Sequence, residues 1–177
     1  SSDLGPVIDE EAQQMLKHHR EALSGFGKLV QEVPIDTALA RRGHYFGPCA
    51  YEISSIKALT KEVFGPILHI VRYDKDGLDD VLDEIEAIGY GLTLGVHSRI
   101  ENFQDYIAAR VSAGNVYVNR SMIGAVVGSQ PFGGHGLSGT GPKAGGPHYL
   151  QRFATERVIS TDTTAAGGNA SLVSLTE

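Results

Sequence analysis

Between Pro66 and Asn119 the sequence alternates strand-like and helix-like segments, and this alternation constrains the fold more than any other feature. Three apolar segments are typical of strands: residues 66–73 (PILHIVRY), 92–97 (LTLGVH) and 115–119 (NVYVN). In residues 78–88 (LDDVLDEIEAI), the first segment between them, apolar side chains recur every three or four positions, which is typical of an amphipathic helix. A β-α-β-α-β order with short connections predicts an α/β fold with an open, mostly parallel sheet and flanking helices.

Capping and turn residues predict where the remaining elements begin and end. Asp9 is a suitable N-cap for a helix that runs to about Leu23, and Ser98 is a suitable N-cap for a helix that ends at Gly114. Two further strands are expected at residues 28–35 and 48–53. The many acidic residues of the 78–88 helix are expected to form a solvated face.

A glycine-rich segment follows the last of these strands. Residues 124–146 (GAVVGSQPFGGHGLSGTGPKAGG) contain nine glycines, and they begin at the edge where ligands bind in open α/β sheets. A phosphate cradle is disfavoured, because GLSGTG reverses the dinucleotide spacing and GTGPKAGG lacks the ending of a P-loop. Two interpretations stay open: a surface loop that needs positive φ angles, or a loop that presents backbone N–H groups to an anion.

Charge and hydropathy exclude some classes of function. The net charge is -6 and there is no basic cluster, so the segment is not expected to bind nucleic acid. No apolar run is long enough for a transmembrane segment, and the first residues do not resemble a signal peptide. We expect a cytoplasmic protein.

Few side chains have the spacing of a catalytic or metal site. The seven histidines show no ligand spacing, and Cys49 has no cysteine partner, so no metal is expected. Cys49 is predicted to be a buried structural thiol at the start of a strand. Glu62 lies just before the most apolar strand, where a carboxylate can accept two hydrogen bonds from a diol such as ribose. A plain surface glutamate is the alternative.

Several blocks of the sequence resemble the aldehyde dehydrogenase superfamily. KEVFGPIL (61–68) resembles its E-[IV]-F-G-P motif, and PFGGHGLSG (131–139) is similar to its P-F-G-G-x-x-x-S-G motif. DLGPVID (3–9) and the stretch that ends in GNVYVN (114–119) also match, and the blocks cover nearly all of residues 3–163 in the same order. The segment SMIGAVVGSQPFGGHGLSGTGPKAGG resembles the glutamate-γ-semialdehyde (pyrroline-5-carboxylate) dehydrogenases. The tail TTAAGGNASL looks most like that of the bacterial bifunctional proline utilization A enzymes, in which this dehydrogenase is fused to a flavin-dependent proline dehydrogenase.

The resemblance implies a role for each matching residue. Glu62 is expected to bind the nicotinamide ribose of NAD, and Phe64 is expected to pack near the nicotinamide. The backbone N–H groups of Gly124 and Ala125 are expected to bind the α-carboxylate of glutamate-γ-semialdehyde. Ser121 lies close by on the same loop, and Phe132 is expected to pack against the aliphatic part of the substrate.

The resemblance also implies a division of the chain and of the chemistry. Residues 1–150 are expected to form the C-terminal part of the catalytic domain, and residues 151–177 an oligomerisation strand and tail, with the pairing strand of a homo-oligomer near 153–163. The nucleophilic cysteine and the dinucleotide-binding domain match no part of this chain, so no catalytic residue is assigned. We expect them in an upstream part of the polypeptide, with FAD bound only in a fused proline dehydrogenase domain. Alone, the chain is expected to be inactive. A non-catalytic assembly domain and a carboxylate-binding module are the alternatives.

Overall fold

The computed structural model describes residues 4–126 and 128–162. In chain order its elements are α1 Glu10–Phe26, β1 Lys28–Glu32, α2 Thr37–Ala40, β2 Cys49–Ile53, β3 Ile67–Val71, α3 Leu78–Ala87, β4 Tyr90–Gly91, β5 Thr93–Val96, α4 Glu101–Arg110, β6 Asn115–Val118 and β7 His135–Gly136. Short 3₁₀ turns lie at Ile56–Ala58, Lys75–Gly77 and Leu150–Phe153. Each helix and strand predicted between Asp9 and Asn119 is present, and the α/β fold class is confirmed.

The first core lies between α1 and a three-stranded sheet. The strand order is β1-β2-β3, with β1 antiparallel to β2 and β3 parallel to β2. Asp9 caps α1 as predicted, because its carboxylate accepts a hydrogen bond from the Ala12 N–H at 2.8 Å. Alternate residues of β2 point toward the helix and pack with its two fully buried leucines. The buried set is Leu16, Leu23, Phe46, Cys49, Tyr51 and Ile53.

The second core is built by β5, β6 and the two later helices. β5 and β6 are parallel, with Leu94 opposite Val116. The buried residues of α3, β5 and α4, with the residue that follows α4, are Leu82, Val96, Ile107 and Val111. The described strands therefore form separate sheets rather than one continuous sheet from Pro66 to Asn119, since β3 pairs with β2 and β5 pairs with β6. A further short pair, β4 with β7, fastens the glycine-rich segment to the chain before β5.

Asp79, Asp80 and Asp83 of α3 are exposed, as predicted for a solvated face, whereas Glu84 and Glu86 are half-buried, and several of these acids also bond to neighbouring elements. Asp79 accepts a hydrogen bond from Tyr106, and Asp83 pairs with Arg110. On the other side Glu84 accepts a hydrogen bond from Ser55 at 2.8 Å, which lowers the pKa of the Glu84 carboxyl. The acids tie α3 to its neighbours because the helix lies between α4 and the turn at Ile56–Ala58.

Both predicted ends of α4 are wrong. The helix begins at Glu101, and Ser98 stays outside it because the Asn119 side chain bonds both the N–H and the C=O of Ser98, at 2.9 and 2.8 Å. It ends at Arg110, where the buried Val111 takes an extended conformation. Gly114 has a different role: a Cβ there would lie 1.9 Å from the carbonyl oxygen of Gly133, so glycine permits a close backbone approach.

The predicted oligomerisation strand near 153–163 is not paired in the single chain. Residues 154–162 form no strand, and the side chains of Phe153, Val158 and Ile159 are exposed. Residues 163–177, which include the tail TTAAGGNASL, and Asp3 of DLGPVID lie outside the described residues. No helix in the described part of the chain is both long and apolar enough to span a membrane.

Candidate functional site

An open cleft of about 800 Å³ lies between the segment before β3 and the region of β4 and β5. Glu62 and Phe64 line one side of it, and Leu137 and Ser138 of the glycine-rich segment also contribute to its wall. Glu62 is exposed, and the Phe64 ring is 77% exposed. The two residues predicted to contact the cofactor therefore share one cleft, where the Glu62 carboxylate has no hydrogen-bond partner among the described residues and the Phe64 ring is exposed.

Helix α1 fixes the segment that carries these two residues. Gly65 follows Phe64 with φ +154°, and a Cβ at Gly65 would lie 2.4 Å from a methyl group of Leu16. Only glycine allows the chain to pass so close to the buried side chain of Leu16. The position of Phe64 thus depends on the packing of α1 against the start of β3.

A pair of histidines joins α1 to β3 a short distance along the strand. Nε2 of His19 and Nε2 of His69 are 2.9 Å apart, and the ring centroids are 5.1 Å apart. The nitrogens therefore face each other nearly head-on, which is the geometry of a shared proton. Burial lowers the pKa of both imidazoles, and the nearby Lys61 charge lowers the pKa of His19 further.

The loop after β6 carries three of the predicted substrate-binding residues. Gly124 has φ +70° and open space where a Cβ would be, and the Ser121 hydroxyl accepts a hydrogen bond from the Ile123 N–H at 3.3 Å. Among residues 4–126 and 128–162, none accepts a hydrogen bond from the N–H of Gly124 or Ala125. The loop therefore presents two backbone donors and one hydroxyl without internal partners for those donors.

Tyr117 of β6 holds this loop, and sequence reasoning missed it. Its ring is 5% exposed, and its hydroxyl donates to the carbonyl oxygen of Gly124 at 2.9 Å. The guanidinium of Arg120 lies 4.7 Å from the centroid of the same ring. A positive charge is thus held next to the loop, where it favours binding of an anion.

The backbone of Phe132 is held by pairing with another part of the glycine-rich segment. Its N–H donates to the carbonyl oxygen of Ala144 at 3.0 Å, and its carbonyl oxygen accepts from the Ala144 N–H at 2.9 Å. Asn115, at the start of β6, donates to the carbonyl of Pro131 at 3.0 Å and accepts from the N–H of Gly133 at 3.4 Å. Asn115 was also missed, although an asparagine at the first position of a strand, where its amide can bond a neighbouring loop, was a usable signal.

Strand β6 is therefore the support shared by the predicted substrate residues. Tyr117 fixes the Gly124 loop, and Asn115 fixes the segment around Phe132. The cleft with Glu62 connects to the same support through Gly91, whose carbonyl accepts from the Gly114 N–H at 2.9 Å. No hydrogen bond or ion pair within the described ranges joins Glu62 or Phe64 directly to the Gly124 loop.

Cys49 lies in the first core, as predicted for a structural thiol. Its side chain is 5% exposed, and burial raises the pKa of the thiol. A buried thiol with a raised pKa is a poor nucleophile. In the part of the chain that the structure describes, no three His, Cys, Asp or Glu side chains are grouped as metal ligands.

Comparisons with known proteins identify the family and the fold. The profile of the Aldehyde dehydrogenase family matches residues 1–159. The "Bifunctional protein PutA" of Rhizobium meliloti is 47% identical over 155 residues, which cover 88% of this chain and 13% of that protein. A crystal structure of a Bradyrhizobium japonicum Proline Utilization A (PutA) mutant has a TM-score of 0.82 and 54% identity, over 92% of this chain and 16% of that one.

A second kind of relative has a solved structure with the cofactor. The 1-pyrroline-5-carboxylate dehydrogenase from Thermus, crystallised with bound NAD, has a TM-score of 0.75 and 32% identity. The match covers 85% of this chain and 29% of that protein. The chain therefore spans less than a third of each of these three relatives.

Proposed function

The chain belongs to the aldehyde dehydrogenase family, and on that premise we propose that it is part of an NAD-dependent L-glutamate-γ-semialdehyde dehydrogenase. The enzyme oxidises the aldehyde to glutamate in proline catabolism. The relative named 1-pyrroline-5-carboxylate dehydrogenase supports this substrate, and the name "Bifunctional protein PutA" supports a bifunctional parent. In this proposal the second activity of that parent is a proline dehydrogenase.

The observation that carries the proposal is the loop at Gly124. Its two adjacent N–H groups, on Gly124 and Ala125, find no acceptor among the described residues, and no atom of those residues lies within 4 Å of the position that a Cβ of Gly124 would occupy. A carboxylate has two oxygens and can accept one hydrogen bond from each amide. Hydrogen bonds to a charged group contribute about 1.5–3 kcal/mol each, so the loop is suited to anchor an anionic aldehyde.

The neighbouring residues complete the binding site for the substrate. Ser121 adds a hydroxyl donor on the same loop, and the charge of Arg120 attracts the anion before it binds. Phe132 packs against the aliphatic part of the substrate. With these contacts the loop holds the carboxylate end of the substrate, and the aldehyde end points toward the reacting groups.

Glu62 and Phe64 contribute the contacts to NAD. The exposed Glu62 carboxylate accepts hydrogen bonds from the ribose hydroxyls, and the exposed Phe64 ring packs near the nicotinamide. When bound, NAD accepts the hydride from the aldehyde carbon. The Thermus relative with bound NAD supports the choice of cofactor.

The rest of the chemistry belongs to an upstream part of the same polypeptide in this proposal. That part supplies the thiolate nucleophile and the dinucleotide-binding domain, and any FAD is bound there. Residues 1–150 complete the catalytic domain, and residues 151–177 carry the segment near 153–163 that pairs with a neighbouring subunit of a homo-oligomer. The proposal places the enzyme in the cytoplasm.

Turnover measurements on two proteins test the proposal. The natural full-length protein that contains this chain is expected to reduce NAD⁺ when glutamate-γ-semialdehyde is added. The isolated 177-residue chain is expected to show no turnover under the same conditions. Absence of turnover by the full-length protein, or appreciable turnover by the isolated chain, would contradict the proposal.

A further inference from the structure

Lys143 lies in the glycine-rich segment with its charge enclosed by neutral oxygens. Its ammonium donates to the carbonyl oxygen of Gly133 at 2.8 Å, to Oδ1 of Asn115 at 3.1 Å and to the carbonyl oxygen of Gly114. The side chain is half-buried, and within residues 4–126 and 128–162 no carboxylate forms an ion pair with it. Three acceptors thus converge on one cation.

These acceptors come from two parts of the chain that meet beside Phe132. Gly114 and Asn115 lie at the start of β6, whereas Gly133 is the residue after Phe132. The two backbones are so close that a Cβ at Gly114 would lie 1.9 Å from the Gly133 carbonyl oxygen. Oxygens with partial negative charge repel each other at such a junction unless a positively charged donor lies between them.

Asn115 and the residue after Lys143 also hold the chain on the other side of Phe132. Asn115 donates to the Pro131 carbonyl, and Ala144, the residue after Lys143, pairs with the backbone of Phe132. The chain on both sides of the ring is therefore tied to β6 and to the 143–144 segment. Since the chain at 133–134 consists of glycine, few side-chain contacts replace this tie if it is lost.

We propose that Lys143 is a positioning residue for the aldehyde substrate, acting through Phe132. By neutralising the junction of Gly114, Asn115 and Gly133, it fixes the ring against the aliphatic part of the substrate. The inference rests on the proposed function of Phe132 in glutamate-γ-semialdehyde oxidation. Lys143 itself does not touch the substrate.

Substitution in the natural full-length enzyme tests this role. K143M keeps the length of the side chain and removes the charge and the three donors. We expect its KM for glutamate-γ-semialdehyde to rise about tenfold, while kcat and the KM for NAD change less than about twofold. K143R is expected to restore most of the affinity, because a guanidinium supplies several donors and the charge.

A double-mutant cycle with F132A separates positioning from general stabilisation. If Lys143 acts through the ring, K143M raises KM by less than about twofold in the F132A background. A KM of K143M equal to that of the wild type, or effects of K143M and F132A that add fully, would overturn the inference. If K143M does not fold, the same cycle is run with K143Q.

A structural readout keeps this test separate from that of the proposed function. If the wild-type enzyme does not oxidise glutamate-γ-semialdehyde, the proposed function fails, but the position of Phe132 is still measurable in a crystal structure of the K143M enzyme. A displaced 131–134 segment supports the positioning role. A segment that stays in place contradicts it.

Discussion

The hydroxyl of Tyr117 donates a hydrogen bond of 2.9 Å to the carbonyl oxygen of Gly124. The bond connects the buried face of strand β6 to the loop whose N–H groups are proposed to bind the substrate carboxylate. Because Gly124 has φ +70° and no other described atom lies within 4 Å of the position that a Cβ would occupy there, this bond is a main restraint on the direction of the peptide.

Removal of the Tyr117 hydroxyl is expected to weaken substrate binding. In Y117F the ring still fills its buried place, but one neutral hydrogen bond worth about 0.5–1.5 kcal/mol is lost. We expect the KM for glutamate-γ-semialdehyde to rise about two- to tenfold in the full-length enzyme, measured by steady-state kinetics at saturating NAD. Y73F, a change at an exposed tyrosine near the end of β3, is the matched control. Equal KM values for Y117F and Y73F would refute the role of Tyr117.

Loss of the Glu62 carboxylate is expected to weaken NAD binding selectively. Charge-assisted hydrogen bonds contribute about 1.5–3 kcal/mol, so E62A should raise the Kd for NAD by about one to two orders of magnitude. Titration calorimetry on the full-length enzyme measures this directly. E21A is the control, since Glu21 is also exposed but lies on α1. An unchanged Kd in E62A would remove Glu62 from the cofactor site.

Stability is expected to fall as the pH drops below about 6.5, because His19 and His69 share one hydrogen bond. Burial lowers the pKa of both imidazoles in the folded state, so the unfolded chain binds more protons near the ordinary histidine pKa of about 6.5. Their contribution is therefore complete above that value and is lost as the pH falls through the folded pKa values. Protonation of the accepting imidazole also breaks the Nε2–Nε2 hydrogen bond, because both Nε2 atoms then carry hydrogen.

Calorimetric unfolding of the full-length protein between about pH 5 and pH 8 tests whether stability falls on acidification. The double variant H19Q/H69Q should show a shallower decrease in unfolding temperature on acidification than the wild type. H148Q, a change at an exposed histidine outside α1 and β3, should keep the wild-type slope. The explanation is wrong if the double variant and H148Q lose stability in parallel.

Local signals explain what could be predicted from the sequence. Asp9 was identified as an N-cap because capping depends on adjacent residues, and the apolar spacing of residues 78–88 reports on one helix alone. The burial of Cys49 was also predicted, because a free cysteine is most often a buried structural residue. The hydrogen-bond partners of the acidic residues of this helix were not predicted, because they come from distant parts of the chain.

Contacts between distant segments account for most of what was missed. The bond from Tyr117 to Gly124 and the three bonds of Lys143 depend on how the glycine-rich segment folds back onto β6. Nothing in the local sequence specifies that path. The antiparallel pairing of β1 with β2 was missed for the same reason, since strand propensity carries no information about the partner.

The preference of the full-length enzyme for a substrate with an α-carboxylate tests the central claim most directly. The measurement compares kcat/KM for glutamate-γ-semialdehyde with kcat/KM for 4-aminobutanal, which has the same chain and amine but lacks the carboxylate. Two hydrogen bonds from the loop amides predict a preference of about two orders of magnitude or more for glutamate-γ-semialdehyde. Similar values for the two aldehydes would contradict a carboxylate anchor at Gly124 and Ala125.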